Sequence, residues 1–307
     1  MEMASILARQ ILQMFVLAGL GYGLHKTKLV SHEGSRAMGS ILIYLALPSV
    51  IINGFLIERT PEHTQGILYS AGGAAVLLLL SMGISRLAFR KDGIAAFAGA
   101  FSNPGFFGIP LIVASVGSGA VFYVACFVAF LNIGQWTWGV SLLTGQPAKQ
   151  GFRLKKLIRA PFMIAILVGL ALYATQLRLP EVIRGTLSTV ASLNTPLAMF
   201  TVGIYLAQTD LAKMIRRKSV YMVSLVRLGA VPLVALLLLS LLPTELNSMK
   251  YALLLAMACP VGSNVAVYAQ LHGKDYPYAV ETVVVSTLFS LGTIPLLMGL
   301  ASSLWGI

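Results

Sequence analysis

The sequence predicts an all-α polytopic membrane protein: ten transmembrane helices in two five-helix repeats of opposite orientation, with the fourth and ninth helices broken. Three observations carry this: a composition that cannot cover a water-facing surface, an alternating distribution of Lys and Arg, and matched interruptions in the two halves. Of 307 residues, 57% are hydrophobic and 10% charged, with mean hydropathy +0.85. Soluble chains carry about 25% charged residues. The net charge of +12 does not point to nucleic acid, because the basic residues sit in short loops where the positive-inside bias accounts for them. Cys126 and Cys259 both fall in apolar segments, so no disulfide framework is indicated. The opening MEMASILARQ lacks the basic start and small-residue cleavage site of a signal peptide, and the first apolar run is read as a retained helix.

A span needs about 20 mostly apolar residues. Ten stretches fit: 4–24, 38–57, 66–87, 94–115, 119–143, 161–177, 186–207, 219–242, 249–272 and 279–304. The odd-numbered connections hold 16 of the 22 Lys and Arg, among them Lys26, Arg90, Arg159 and Arg217, and the even-numbered ones hold 4. The odd connections are therefore expected in the cytoplasm, with both termini outside. The longest polar connection, 144–160, separates a first repeat at 1–143 from a second at 161–307. With an odd number of spans per half, the second half enters the membrane inverted.

The interruptions pair across the halves. Pro48 in the second span answers Pro196 in the seventh. GAFSNPGFFGIPL (99–111) in the fourth answers MACPVGSNVAV (257–267) in the ninth. Proline lacks an N–H and clashes with the preceding turn, so no helix runs smoothly through Asn103-Pro104-Gly105. Broken backbone persists in a bilayer only where it is buried in protein or lines a cavity. Matched breaks point to a transporter binding site, whereas Pro232 and Pro295 read as plain kinks. If the two broken spans cross at the midplane, four half-helix ends meet there. The N-terminal ends suit an anion, and the C-terminal carbonyls suit a cation.

Candidate substrate contacts are Ser102, Asn103, Pro104 and Gly105 at the first break and Pro260, Gly262, Ser263 and Asn264 at the second, with Asn103 foremost. Gly105, Gly108 and Gly262 would allow close backbone approach. Asn53, Asn132, Asn194 and Gln135 are secondary candidates, which interhelical hydrogen bonds explain equally well. Arg227 lies within the eighth span: it is read either as a substrate-carboxylate contact or, by preference, as a side chain snorkelling to the inner surface. Of the ten acidic residues only Glu281 falls in a span, and it reads as a solvated helix start. The absence of a deep carboxylate pair argues against a cation/proton exchanger. Trp136, Trp138 and Trp305 read as interfacial belt residues. No HExxH, GxSxG-with-His or Walker pattern occurs, so neither an intramembrane enzyme nor an ATPase is indicated. No metal or cofactor is expected, with Na+ or H+ open as coupling ions.

The segments NPGFFGIPL and AVYAQLHGKDYPYAVETVVVSTLFSLGTIPLL resemble the auxin efflux carrier (PIN-like) superfamily, particularly its short prokaryotic members. The resemblance covers the whole chain and adds Ser286 and Thr287 as candidate site residues. It implies the inverted-repeat fold shared with bile acid:sodium symporters, in which spans 4 and 9 cross. Spans 1, 2, 6 and 7 would form a scaffold, and spans 3–5 and 8–10 a transport domain. It further implies an elevator-type secondary transporter in the inner membrane, often homodimeric, for auxin-like or small carboxylate anions such as malonate or malate. A sodium-coupled carrier of a neutral or amphipathic solute, or a membrane sensor on the same scaffold, is the alternative.

Overall fold

A computed structural model describes residues 2–145, 158–209, 214 and 216–306. The described chain is helical, in twelve segments. These are α1 (Glu2–Lys26), α2 (32–55), α3 (Pro61–Ala88), α4 (Gly93–Ala100), α5 (104–115), α6 (118–144), α7 (Pro161–Thr175), α8 (181–208), α9 (218–239), α10 (Asn247–Ala258), α11 (Asn264–Leu271) and α12 (Tyr276–Trp305). Among the described residues, seven helices are long and apolar enough to cross a membrane: α1, α2, α3, α6, α8, α9 and α12. The expected fourth and ninth spans are split into α4/α5 and α10/α11, and the expected sixth is the 15-residue α7. The connection expected over 144–160 lies mostly outside the described residues.

Helix starts follow from local chemistry. The Thr60, Asp92 and Asp275 side chains accept from the N–H of His63, Ala95 and Tyr278, capping α3, α4 and α12. Pro61 and Pro161 open α3 and α7, where the missing N–H costs nothing. Proline also shapes helix interiors. π-helical turns at Leu42–Ala46, Pro104–Gly108 and Val226–Ala230 stand directly before Pro48, Pro110 and Pro232. The wider turn relieves the clash between the proline ring and the carbonyl four residues back, so α2 and α9 continue past their prolines. α12 passes Pro295 unbroken, and α8 has a single non-helical turn at Leu193, just before Pro196.

Packing sets the frame of the site. α1 lies along the second half of α8, and α2 packs on α7 and the first half of α8. Gly203 makes the first contact possible: a Cβ there would stand 1.9 Å from the Ala18 carbonyl oxygen. α3 packs on α4 and α6, with the Ser70 hydroxyl bonded to the Tyr123 carbonyl. α12 braces α9, α10 and α11. Large apolar side chains stand on the outer surface, including Leu12, Val16 and Leu20 of α1, Leu79 of α3 and Leu296 of α12. An apolar exterior of this extent is a liability in water and is the proper surface in lipid.

Candidate functional site

The two breaks meet. Ser102 and Val261 form an antiparallel bridge, with Asn103 N–H donating to the Pro260 carbonyl (3.0 Å) and Gly262 N–H to the Phe101 carbonyl (2.9 Å). The Val261 N–H donates to the Ser286 hydroxyl at 3.0 Å, and Ser286 in turn donates to the Val283 carbonyl. Groups released from the helix ladders thus find partners within the protein, as backbone buried away from water must. Gly262 is required by this contact: a Cβ would lie 2.8 Å from the Ser102 carbonyl oxygen.

Asn103 caps α5. Its carbonyl accepts from Phe107 and Gly108 at 3.1 Å, and its side-chain oxygen accepts from Phe106 N–H at 3.4 Å. Across the break, the Asn264 amide donates to Gln135 Oε1 (2.8 Å) and the Asn194 amide donates to the Gly105 carbonyl (3.3 Å). These bonds leave polar capacity in hand. The Ser102 hydroxyl, Gln135 Nε2 and Asn194 Oδ1 are buried without a partner.

A cavity of about 770 Å³ opens beside the crossover. Ser102, Asn103, Pro104, Gly105, Gly262, Ser263 and Asn264 line it, as does Asn132. Pro260 lies behind the wall, fully buried, and contributes its carbonyl to the bridge. Asn53, Gln135, Asn194, Ser286 and Thr287 do not line the cavity: the Asn53 backbone carbonyl accepts from Leu56 at the end of α2, Gln135 and Asn194 reach it only through Asn264 and Gly105, and Ser286 and Thr287 bond to Val283 within α12. A second cavity, about 880 Å³, lies between the end of α2 and the connection from α7 into the first turn of α8, and no crossover residue lines it.

Three expectations need correction. Arg227 does not snorkel. It is fully buried, and its guanidinium donates to the Gly99 and Ala100 carbonyls (3.2 and 3.0 Å), the Ser81 hydroxyl (3.2 Å) and the Met257 carbonyl. Glu281 is 6% exposed rather than solvated, because Arg217 reaches over it at 3.0 Å while also pairing with Asp275 at 3.1 Å. Partial burial lowers the Arg217 pKa, but Glu281 and Asp275 outweigh that effect and hold it above its usual value. The tryptophans are not a belt. Trp136 lines the cavity, Trp138 meets Phe101 edge-on, and the Trp305 indole donates to the Ser240 hydroxyl.

The cavity wall also contains residues the sequence reading did not single out: Tyr44, Arg159, Tyr268 and His272. A signal for Trp136 existed. Val128, Asn132, Trp136 and Val140 recur every four residues on one face of α6, and all line the cavity. Arg159 and His272 stand in connections counted among the basic ones, so the cavity runs from the crossover toward the Lys/Arg-rich end.

Among the described residues no group of three or more His, Cys, Asp or Glu is placed to hold a metal ion. The site is a largely apolar pocket, walled by side chains such as Leu47, Phe106, Leu131 and Phe162, with amides, hydroxyls and backbone ends gathered at the crossover. The chain belongs to the membrane transport protein family, that of the auxin efflux carriers, which matches it twice, over residues 6–153 and 149–298. It is 29% identical over 312 aligned residues, 95% of each chain, to a protein of Rhizobium meliloti (strain 1021) named "Putative malonate transporter".

Proposed function

We propose that the protein is a secondary carrier of small organic anions, mono- or dicarboxylates of the size of malonate, bound at the crossover. The observation that supports this most is the sign of the groups facing the cavity. The N-terminal ends of α5 and α11 meet there, and Arg159 and His272 stand toward its basic end. Helix N-termini carry roughly half a positive charge each, and their amides suit a carboxylate. One carboxylate is taken by Asn103, Gly105 and the residues 262–264. Arg159 and His272 draw the anion in from the cytoplasm.

The ten expected spans are assembled by counting α4/α5 and α10/α11 as one broken span each and α7 as a short one. In this reading α1, α2, α7 and α8 form the scaffold, and the crossover moves against it in an elevator-like shift. The Asn194–Gly105 hydrogen bond is then a contact across the moving boundary. The cavity reaching Arg159 and His272 is the inward-facing access path, with both termini outside the inner membrane. The resemblance adds a homodimer as the working assembly.

The test is transport of malonate and related carboxylates by purified protein in liposomes, with Asn103→Ala and Pro104→Ala beside the wild type. Removing the Asn103 cap and amide is expected to cost about 1 kcal/mol in the cap alone and to lower anion uptake severalfold. If both variants carry every tested anion at the wild-type rate, the site is elsewhere. Saturable binding without turnover would identify a sensor instead.

A further inference from the structure

The four half-helix ends at the crossover divide by sign. The positive ends, of α5 and α11, face the cavity. The negative ends, of α4 and α10, end at Ala100 and Ala258, and Arg227 sits on their carbonyls. Arg227 is not part of the cavity wall and is 0% exposed. Among the described residues no carboxylate pairs with it, since the ion pairs run through Arg217. A guanidinium deep in a protein requires compensation. Here the compensation comes from backbone carbonyls of two different broken helices, 128 and 30 residues away along the chain. Two helix C-termini amount to roughly one negative charge, and one guanidinium cancels it.

A cluster of converging carbonyls at two broken helix ends is also the place where a carrier of this construction would bind a coupling cation. We propose that Arg227 is a resident counter-ion that occupies this position permanently, so that anion binding and transport run without Na+. Arg227 is a positioning residue: it holds α4 and α10 end to end and cancels their negative ends. The field at the cavity is thereby left to the positive ends of α5 and α11. The inference rests on the crossover being the substrate site.

The experiment uses full-length protein in liposomes and in detergent. Malonate-driven currents and thermal midpoints are recorded in choline, in Na+, and with millimolar guanidinium. The wild type is expected to give equal rates and midpoints in choline and Na+. Arg227→Ala loses hydrogen bonds from a charged group, each worth about 1.5–3 kcal/mol, so about a ten- to hundredfold loss of rate is expected. Its midpoint falls, and both quantities recover with guanidinium but not with choline. Where the alanine variant does not fold, Arg227→Lys and Arg227→Gln decide. Lysine keeps the charge and is expected to sustain slowed Na+-free transport, whereas glutamine keeps donors only and is expected to fail.

A wild type that needs Na+, equal rates for the lysine and glutamine variants, or an alanine variant indifferent to guanidinium overturns the proposal. The midpoints need no substrate. A wild type that carries no anion while Arg227→Ala still answers to guanidinium would sink the carrier reading and leave the counter-ion standing.

Discussion

Replacing Gly262 with alanine probes the crossover at its narrowest point. The added Cβ would lie 2.8 Å from the Ser102 carbonyl oxygen and 3.3 Å from that of Phe101, whereas ordinary contact begins near 3.4 Å. Both neighbours are backbone, so no side-chain rotation relieves the overlap. The two paired segments must part by about 0.6 Å. That stretches the 2.9 Å Gly262–Phe101 and 3.0 Å Asn103–Pro260 hydrogen bonds to about 3.5 and 3.6 Å, where little bonding remains. At about 0.5–1.5 kcal/mol per bond the loss is about 1–3 kcal/mol. Gly83→Ala is the control: nothing lies within 4 Å of its Cβ, and alanine in a helix is worth up to about 1 kcal/mol over glycine. Thermal midpoints in detergent and anion uptake in liposomes would be compared. Gly262→Ala is expected to melt lower and transport less, while Gly83→Ala matches or exceeds the wild type in stability. Indistinguishable variants would refute the claim that backbone pairing organises the centre.

Two further outcomes follow from contacts elsewhere. Gly203→Val places bulk against the Ala18 carbonyl and is expected to separate α1 from α8, giving aggregated protein in size-exclusion chromatography rather than a monodisperse peak. Arg217→Ala strands the Glu281 carboxylate with 8% of its side chain exposed; because Arg217 itself is 38% exposed and screened by solvent, the expected loss is about 1 kcal/mol. Adding Glu281→Gln to that variant removes the stranded charge and should restore part of the thermal midpoint, and a strictly additive double variant would speak against the pairing.

What could be read from the chain was what local chemistry determines. Asn103-Pro104-Gly105 ends one helix and starts another whatever surrounds it, and Asn103 is the cap the residue type suggests. Apolar length placed most helix ends to within a few residues of those observed. The misreadings share one cause. Whether Arg227 snorkels or stays buried depends on carbonyls of α4 and α10, which no local pattern announces. Glu281 needed Arg217, 64 residues away, before its burial could be understood. Trp136 was read by its place near a helix end, although its spacing from Asn132 puts both on the cavity face. The π-turns before Pro48, Pro110 and Pro232 were also missed, because a sequence shows the proline but not how the preceding turn accommodates it.

The bridge between Ser102 and Val261 has a consequence for how the molecule is made. The partners are separated by more than half the chain, so the first break emerges from synthesis long before its distant partners exist, and the Ala100 carbonyl has only the Ser81 hydroxyl to meet it early. Until α9, α10 and α12 arrive, the carbonyls of Gly99, Ala100 and Phe101 lack Arg227 and Gly262 N–H. Long-range closure of this kind is slow and leaves polar backbone waiting. The first five helices can be inserted early, but the centre of the protein is finished only when the last ones lock it. Polar backbone at this joint therefore stays exposed longer in synthesis than the sequence-local helix ladders around it.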